Sequence, residues 1–176
     1  MQQNALLKNS MLYGAYLGLS LILVSVLFYS LSFENGIVSM LVNYAVLIVW
    51  VAVGTISFRD NKLNGFLSYG KAYTSGILII IFGAFITSIY MYFFVTVIEP
   101  DFMNKVIEKM TEDLQEQGKS VEEIDMAVSW TKKFSTPLML TFMTFIGQVF
   151  WGALLNLIVA IFLKKKDNRT AGPTEL

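Results

Sequence analysis

Four long apolar segments alternate with short or charged connections along this chain. None of the segments contains Asp, Glu, Lys or Arg, and each is long enough to cross a bilayer, for which about 20 apolar residues suffice. Their bounds are Met11–Phe33, Ile37–Phe58, Ala72–Ile98 and Leu138–Leu163. The pattern predicts four transmembrane helices, the first of which is too long for a cleaved signal peptide.

The connection between the third and fourth segments has a different, helical periodicity. Asp101–Gln117 places five apolar residues on one helical face: Met103, Val106, Ile107, Met110 and Leu114. Gly118 fits a helix stop, and Ser120 with Glu123 forms a capping box that begins a second helix. We therefore predict an external helical hairpin over about 100–134. Its apolar faces either cover each other, lie on the membrane surface or bind a partner protein.

The other connections are short. Asn35-Gly36 is a turn signal, so the first two helices are expected to form a tight antiparallel hairpin. The loop before the third segment contains Gly65 and Gly70, which are expected to break the helix on either side. Pro137 suits the first position of the fourth helix.

These elements define the fold class. We expect an all-α membrane protein with four transmembrane helices and an extracytoplasmic helical hairpin between the third and fourth. Residues 1–170 then form a single four-helix transmembrane domain, and residues 171–176 form a disordered tail.

The charged residues are distributed unevenly, which predicts the orientation. Basic residues dominate the second connection and the stretch after the fourth segment, whereas the third connection holds nine acidic residues against five basic ones. Because Lys and Arg favour the cytoplasmic side, the N- and C-termini are expected inside and the acidic hairpin outside. We expect a multi-pass membrane protein with its basic residues near anionic lipid headgroups at the cytoplasmic face.

Composition limits the chemistry that the chain can perform. Hydrophobic residues make up 55% of the chain and charged residues 15%, against about 25% charged residues in soluble domains. Cysteine and histidine are both absent, which removes thiol chemistry, the commonest metal ligand and the usual acid–base catalyst. We expect no enzymatic activity, no cofactor, no metal site and no nucleic-acid partner.

Polar and small residues within the apolar segments have two interpretations each. The amides Asn43, Gln148 and Asn156 either hydrogen-bond between helices or line a path for a solute. The glycines Gly14 and Gly18 form a GxxxG motif, which either allows close packing within one bundle or joins two copies of the chain.

Five residues at the ends of the segments are further candidates for a role beyond packing. Arg59 and Asp60 are adjacent opposite charges at the inner boundary, and Lys71 lies across the same loop, where Arg59 and Lys71 suit contacts to anions. Pro100 and Asp101 are expected to redirect the chain from the third crossing into the external hairpin.

Two stretches carry a resemblance to a known family. They are Ile56–Ala72, with its Phe-Arg-Asp sequence, and Val97–Phe102, with its Pro-Asp-Phe sequence. On these stretches the chain resembles the bacterial membrane family catalogued as domain of unknown function 4199, over about residues 8–166. The resemblance implies a four-helix, multi-pass protein of the bacterial cytoplasmic (inner) membrane and transfers no catalytic residue.

Two functions remain open from the sequence. The first is a non-enzymatic structural or interaction protein whose hairpin contacts an envelope protein. The alternative is a small transporter or channel formed by a homo-oligomer, since four helices are few for a pore within one chain.

The orientation can be tested because the chain has no native cysteine. We expect a cysteine introduced by Ser120→Cys to react with a membrane-impermeant thiol reagent on whole cells, and one introduced by Asn64→Cys to remain unlabelled. Labelling of the Asn64→Cys protein alone would invert the assignment of every connection.

Overall fold

The computed structural model describes residues 2–33 and 35–165, and these residues form α-helices joined by short connections. The helices are α1 (Gln2–Ser30), α2 (Gly36–Lys62), α3 (Tyr69–Phe93), α4 (Phe102–Glu116), α5 (Val121–Lys133) and α6 (Pro137–Leu163). A π-helical turn, Phe94–Ile98, continues α3. The predicted tail 171–176 and the basic residues Lys166 and Arg169 lie outside the described residues.

The prediction of four apolar helices is confirmed. By length and composition, four stretches of the described chain could cross a membrane: Gln3–Ser30, Gly36–Lys62, Tyr69–Ile98 and Pro137–Leu163. The first helix begins earlier than Met11, and the second continues beyond Phe58 through Arg59 and Asp60. Hydropathy identifies only the apolar part of a helix. The predicted segments therefore left out the polar turns at the start of α1 and the end of α2.

The end of α1 is a Schellman motif. The N–H of Phe33 bonds to the carbonyl of Phe28 and the N–H of Ser32 to that of Tyr29, at 2.9 and 3.1 Å. Ser32 adopts a φ of 49°, and the rings of Phe28 and Phe33 stack with centroids 4.9 Å apart. This apolar contact usually accompanies the motif. The first crossing therefore stops at Ser30, three residues short of the predicted end.

Serine and asparagine side chains fix the starts of the next two helices. The side chain of Asn35 accepts a hydrogen bond of 3.1 Å from the N–H of Val38 and so caps α2. The hydroxyl of Ser68 accepts one of 3.4 Å from the N–H of Lys71, in the first turn of α3. The expectation that Gly70 breaks the helix is wrong, because this capped turn includes it. Gly65, with a φ of +85°, does lie in the break.

The described chain divides into two compact units. Residues up to Thr87, together with those from Gly147 onward, form the first, and Ser88–Ile146 form the second. Helices α3 and α6 each run through both ranges. We call the first the bundle unit and the second the hairpin unit.

In the bundle unit, α3 contacts the other three long helices. Gly14 and Gly18 of α1 face α3, where an added Cβ would lie 2.5 Å from Phe82 Cβ and 2.8 Å from Ile86 Cβ. Gly152 of α6 faces Ile80 in the same way, at 2.8 Å. The GxxxG motif is thus occupied within the chain, and Leu17 beside it is fully buried.

Helix α2 packs against α1 along an aromatic seam. The indole N–H of Trp50 donates a 2.9 Å hydrogen bond to the Ser20 hydroxyl, and the Tyr16 and Trp50 ring centroids lie 5.2 Å apart. The predicted hairpin of the first two helices is present. The amide of Asn9 also donates to the carbonyl of Gly54, at 2.9 Å, so the start of α1 lies beside the end of α2.

An unpredicted bridge closes the same end of the bundle unit. Leu67, which is buried, and Lys165 exchange two backbone hydrogen bonds of 2.8 Å each. The bridge joins the α2–α3 loop to the residues just after α6. Hydropathy alone gave no sign of it, because it uses main-chain groups.

The tightest approach in the bundle unit yields a prediction. A methyl group at Gly76 would coincide with the side chain of Asn156. We expect Gly76→Ala to destabilise the protein by about 1–3 kcal/mol, the usual cost of overpacking. The midpoint of thermal unfolding in detergent measures the change.

Gly147→Ala is the matched control, since a methyl group there would meet open space. We expect this variant to unfold at or above the temperature of the unchanged protein, because alanine favours helix more than glycine does. Equal unfolding midpoints for the two variants would mean that α3 and α6 do not need this close approach.

Candidate functional site

Small polar side chains are buried in the bundle unit where α2, α3 and α6 meet. The Thr55 and Ser75 hydroxyls, both fully buried, lie 3.4 Å apart. Asn156, of which only 1% is exposed, donates from Nδ2 to the Tyr73 carbonyl at 2.8 Å. These hydrogen bonds connect neighbouring helices. Of the two interpretations of Asn156, the structure therefore agrees with hydrogen bonding between helices.

Three buried polar atoms of the bundle unit have no hydrogen-bond partner among the described residues. They are the Oγ of Ser10, the Nε2 of Gln148 and the Oδ1 of Asn156. Asn156 Oδ1 faces Gly76, where an added Cβ would coincide with it. No sequence signal marked Ser10, because a lone serine in an apolar helix has no distinguishing pattern.

The three amides considered for a solute path are not brought together in one chain. Asn43 donates to the carbonyl of Ser39 in its own helix, at 2.7 Å. Gln148 pairs with the hydroxyl of Thr87 at 2.5 Å. Asn156 lies eight residues beyond Gln148 on α6, a rise of about 12 Å. Each amide therefore has a separate local environment.

Arg59 and Asp60 form an ion pair at the end of α2. The Nε of Arg59 lies 2.7 Å from one carboxylate oxygen of Asp60, and a terminal guanidinium nitrogen lies 3.2 Å from the other. Asp60 is the more exposed partner, with 49% of its side chain accessible against 19% for Arg59. This two-point pairing occupies much of the guanidinium and weakens the case for Arg59 as an anion contact.

Lys71 is exposed, and no ion pair found among the described residues joins it to Arg59 or Asp60. It belongs instead to a set of exposed lysines distributed around the α2–α3 loop, the start of α1 and the end of α6: Lys8, Lys62, Lys71, Lys164 and Lys165. Both the Leu67 bridge and the Asn9 bond place these segments at one end of the bundle unit.

In the hairpin unit, Pro100 and Asp101 form the turn that the sequence predicted. The N–H of Phe102 bonds to the carbonyl of Glu99 at 3.0 Å, which makes Pro100 and Asp101 the central residues of a β-turn. Asp101, at φ −86° and ψ 1°, fits the third position of a type I turn, with proline favoured just before it. The carboxylate of Asp101 accepts a 2.8 Å bond from Asn104.

The turn is reinforced by an ion pair that the sequence did not indicate. Glu99 and Lys105 lie 3.2 Å apart, and the Glu99 side chain is only 14% exposed. The two residues are six positions apart, a spacing that is not adjacent on a continuous helix. The turn brings them together, so only the folded chain reveals the pair.

The predicted capping box begins α5. The Ser120 hydroxyl accepts from the Glu123 N–H at 3.3 Å, and the Glu123 carboxylate accepts from the Ser120 N–H at 3.0 Å. This backbone hydrogen bond, followed by the contact with Lys119, holds the pKa of the Glu123 carboxyl below its ordinary value.

Helices α4 and α5 cover each other only in part. Ile124 is the buried residue of α5, the Thr131 hydroxyl lies 3.5 Å from the Met110 sulfur, and no residue of α4 is fully buried. A shallow groove of about 420 Å³, open to solvent, follows one side of α4 and is lined by residues of that helix and its C-cap alone: Val106, Lys109, Met110, Asp113, Leu114 and Gln117. Most of the surface exposed in this groove is apolar, with a lysine and an aspartate among the lining residues.

Acidic side chains are numerous in the hairpin unit, but they do not converge. Among residues 2–33 and 35–165, no group of three acidic side chains lies close enough together to hold a metal ion.

Comparison with known protein families identifies a relationship over most of the chain. The model of a family described as "Protein of unknown function (DUF4199)" matches residues 12–165, nearly the whole chain. No curated protein and no solved structure matches.

The capping box yields a prediction for α5. We expect Ser120→Ala to cost about 1 kcal/mol of local stability, because it removes the acceptor for an otherwise unpaired backbone N–H. That cost corresponds to roughly a fivefold loss of amide hydrogen-exchange protection in the first turn. Ser129→Ala, on the same helix but away from the cap, should leave this protection unchanged.

The same turn should respond to acid. Because folding lowers the pKa of Glu123, its stabilising contribution is complete above the ordinary glutamate pKa of about 4.3 and is lost as pH falls through the lowered value. Protection of the first turn, compared with a denatured reference at each pH, should fall in acid in the unchanged protein. A similar fall in the Glu123→Gln variant would assign the effect to another group.

Proposed function

The chain belongs to the DUF4199 family, and we propose that it is a non-enzymatic integral membrane protein that acts by association with another protein. The feature that supports this most is the groove along α4. We also propose that the protein resides in the bacterial inner membrane with both termini in the cytoplasm, and that the hairpin unit contacts an envelope protein on the opposite side.

The composition of the groove favours a protein partner. Val106 and Leu114 are two turns apart on α4, with Met110 between them, so they form a continuous apolar stripe. Methionine adapts its shape to different partners, which suits a binding surface. Lys109 and Asp113 also line the groove, so its edge is polar, as is usual around an apolar binding surface.

The absence of histidine and cysteine supports the non-enzymatic part of the proposal. The side chains that remain for acid–base work are carboxylates, lysines and tyrosines. In the bundle unit, the acid Asp60 is engaged by Arg59 at 2.7 Å. An association role needs no such chemistry.

We propose further that the exposed lysines at one end of the bundle unit contact anionic lipid headgroups. Each lysine near an anionic surface contributes about 1 kcal/mol of attraction. Since the segments that carry them meet at one end, a single leaflet can bind them together. This attraction would reinforce orientation and leave the association surface free on the hairpin unit.

Photo-crosslinking in native membranes tests the association proposal. We expect a photoreactive amino acid in place of Gln117, at the end of the groove, to give one discrete adduct with a second protein species. The adduct should disappear when Leu114→Glu places a charge in the apolar stripe. The thermal unfolding midpoint of the Leu114→Glu protein shows whether the fold survives.

The control places the same photoreactive residue at Glu122, which is exposed on α5 and does not line the groove. A diffuse set of adducts from both positions, or an adduct at 117 that survives Leu114→Glu, would contradict a specific groove partner.

A transporter or channel formed by several copies is the second candidate. One observation favours it: Asn156 Oδ1 and Gln148 Nε2 are buried without a hydrogen-bond partner among the described residues. Because the amides do not meet within one chain, a path would need a second copy. Solute flux into vesicles holding the purified protein, lost on Asn156→Leu, would support this candidate, whereas a strictly monomeric detergent particle would exclude it.

A further inference from the structure

Helix α5 carries a second apolar stripe that its contact with α4 does not explain. Met126 is 62% exposed, Trp130 is 55% exposed and Phe134, which follows the helix, is 42% exposed. The spacing of four residues places them along one side of the helix. Three large apolar side chains in a row are costly to leave in water.

Met126 and Trp130 lie on the side of α5 opposite to the side that contacts α4. Ile124 is buried and Thr131 contacts Met110 of α4, so these two residues mark the side that faces α4. At 100° per residue, Met126 and Trp130 lie about 200° and 240° around the axis from Ile124. The partner helix of the hairpin therefore cannot cover them.

The residues that follow α5 in the sequence show what lies close to this stripe. Helix α5 ends at Lys133 and α6, an apolar stretch that could cross a membrane, begins at Pro137. Pro137 is the third residue after Phe134, so the two Cα atoms are at most about 11 Å apart. The headgroup region on each side of a bilayer is about 5–8 Å thick. Phe134 and the last turn of α5 therefore reach the headgroup region or lie just above it.

The side chains of the stripe have the character of a membrane interface. The Trp130 and Phe134 rings stack with centroids 6.2 Å apart and planes 9° from parallel, and the Lys133 ammonium lies 5.0 Å from the centre of the indole. Tryptophan is enriched at headgroup level, where its ring is partly buried and its N–H stays hydrated. Lys132 and Lys133, at the same end, are placed to contact phosphates.

The size of the stripe argues against a second copy of the chain as its cover. A stable protein interface buries about 800 Å² on each partner. Aromatic side chains bury about 150–250 Å² each when fully covered, so three partly exposed side chains supply a few hundred Å² at most. Contact with a lipid surface does not require this minimum buried area, because the covalent connection to α6 already keeps α5 near the membrane.

We propose that Met126, Trp130 and Phe134 insert into the headgroup region of the phospholipid bilayer and make α5 an interfacial helix. The stripe would then hold the hairpin unit at the membrane surface while the α4 groove serves a protein partner. This inference rests on the membrane character of the chain and is independent of the groove's occupant.

Fluorescence quenching by brominated lipids tests the proposal. The probe is the full-length chain with Trp50→Phe and Trp151→Phe, which leaves Trp130 as its only tryptophan, reconstituted alone into phosphatidylcholine vesicles. We expect its emission to be shifted to the blue and to lose most of its intensity when the lipid is brominated near the headgroup. Bromination deep in the acyl chains should quench less.

The matched control moves the tryptophan by one position on the same turn. It combines Trp130→Phe and Ser129→Trp in the same background, so that the apolar stripe is retained while the indole points about 100° away. We expect emission closer to that in water and much weaker quenching. Equal quenching at the two positions would overturn the proposal, as would water-like, unquenched emission from Trp130.

A third result separates lipid from protein as the cover. Blue-shifted emission that brominated lipid does not quench would mean that another protein surface, here a second copy, covers Trp130, and this result too overturns the proposal. Since Trp50 bonds to Ser20, its replacement can disturb the bundle unit. The same comparison is therefore made by subtracting the quenching of the Trp130→Phe protein from that of the unchanged chain.

Discussion

Close approach between helices, through small residues, is the constraint on which the bundle unit depends. In a bilayer, lipid is as apolar as leucine, so burying apolar side chains between helices contributes little to their association. Tight fit and interhelical hydrogen bonds must supply the difference. The glycines opposite Phe82, Ile86, Ile80 and Asn156 supply the fit, and they all involve α3. The Asn156 bond to the Tyr73 carbonyl adds a directional contact at one of these positions.

Polar groups inside the bundle unit also contribute to the association of its helices, through hydrogen bonds. Thr55, Ser75 and Asn156 bond across helices, whereas Asn43 bonds back to its own helix. Interhelical bonds of this kind are worth roughly 0.6–2 kcal/mol each in membranes. The contact between Thr87 and Gln148 lies twelve residues beyond Ser75 on α3, about 18 Å further along the helix axis. Interhelical contacts at two such separate heights fit adhesion between helices better than they fit a continuous path. Arg59 and Asp60 likewise pair with each other within α2. They lie at the end of the bundle unit that carries the exposed lysines.

Helices α4 and α5 of the hairpin unit have different requirements, because they are too short and too polar to span a membrane. Each is amphipathic, and the two helices contact each other near Ile124 of α5 and Met110 of α4. Two apolar surfaces are left: the groove along α4 and the stripe of Met126, Trp130 and Phe134. They differ in chemistry, since methionine and aliphatic side chains with mixed charge form the groove, and aromatic rings with lysines form the stripe. Under the two proposals made above, one face of the hairpin binds a protein and the other binds lipid.

The apolar segments, the capping box at Ser120 and the turn at Pro100 were determined by local sequence, because each depends on residues that are close together in the chain. Family membership also followed from short stretches, namely Ile56–Ala72 and Val97–Phe102. The pairings of the candidate residues were decided only in three dimensions. Whether the Gly14 motif faces α3 or another copy, whether three amides meet, and whether Leu67 reaches Lys165 all depend on how helices rotate and pack. Hydropathy carries no information on that rotation when every face of a spanning helix is apolar, and so the candidate site had to be found in the tertiary structure.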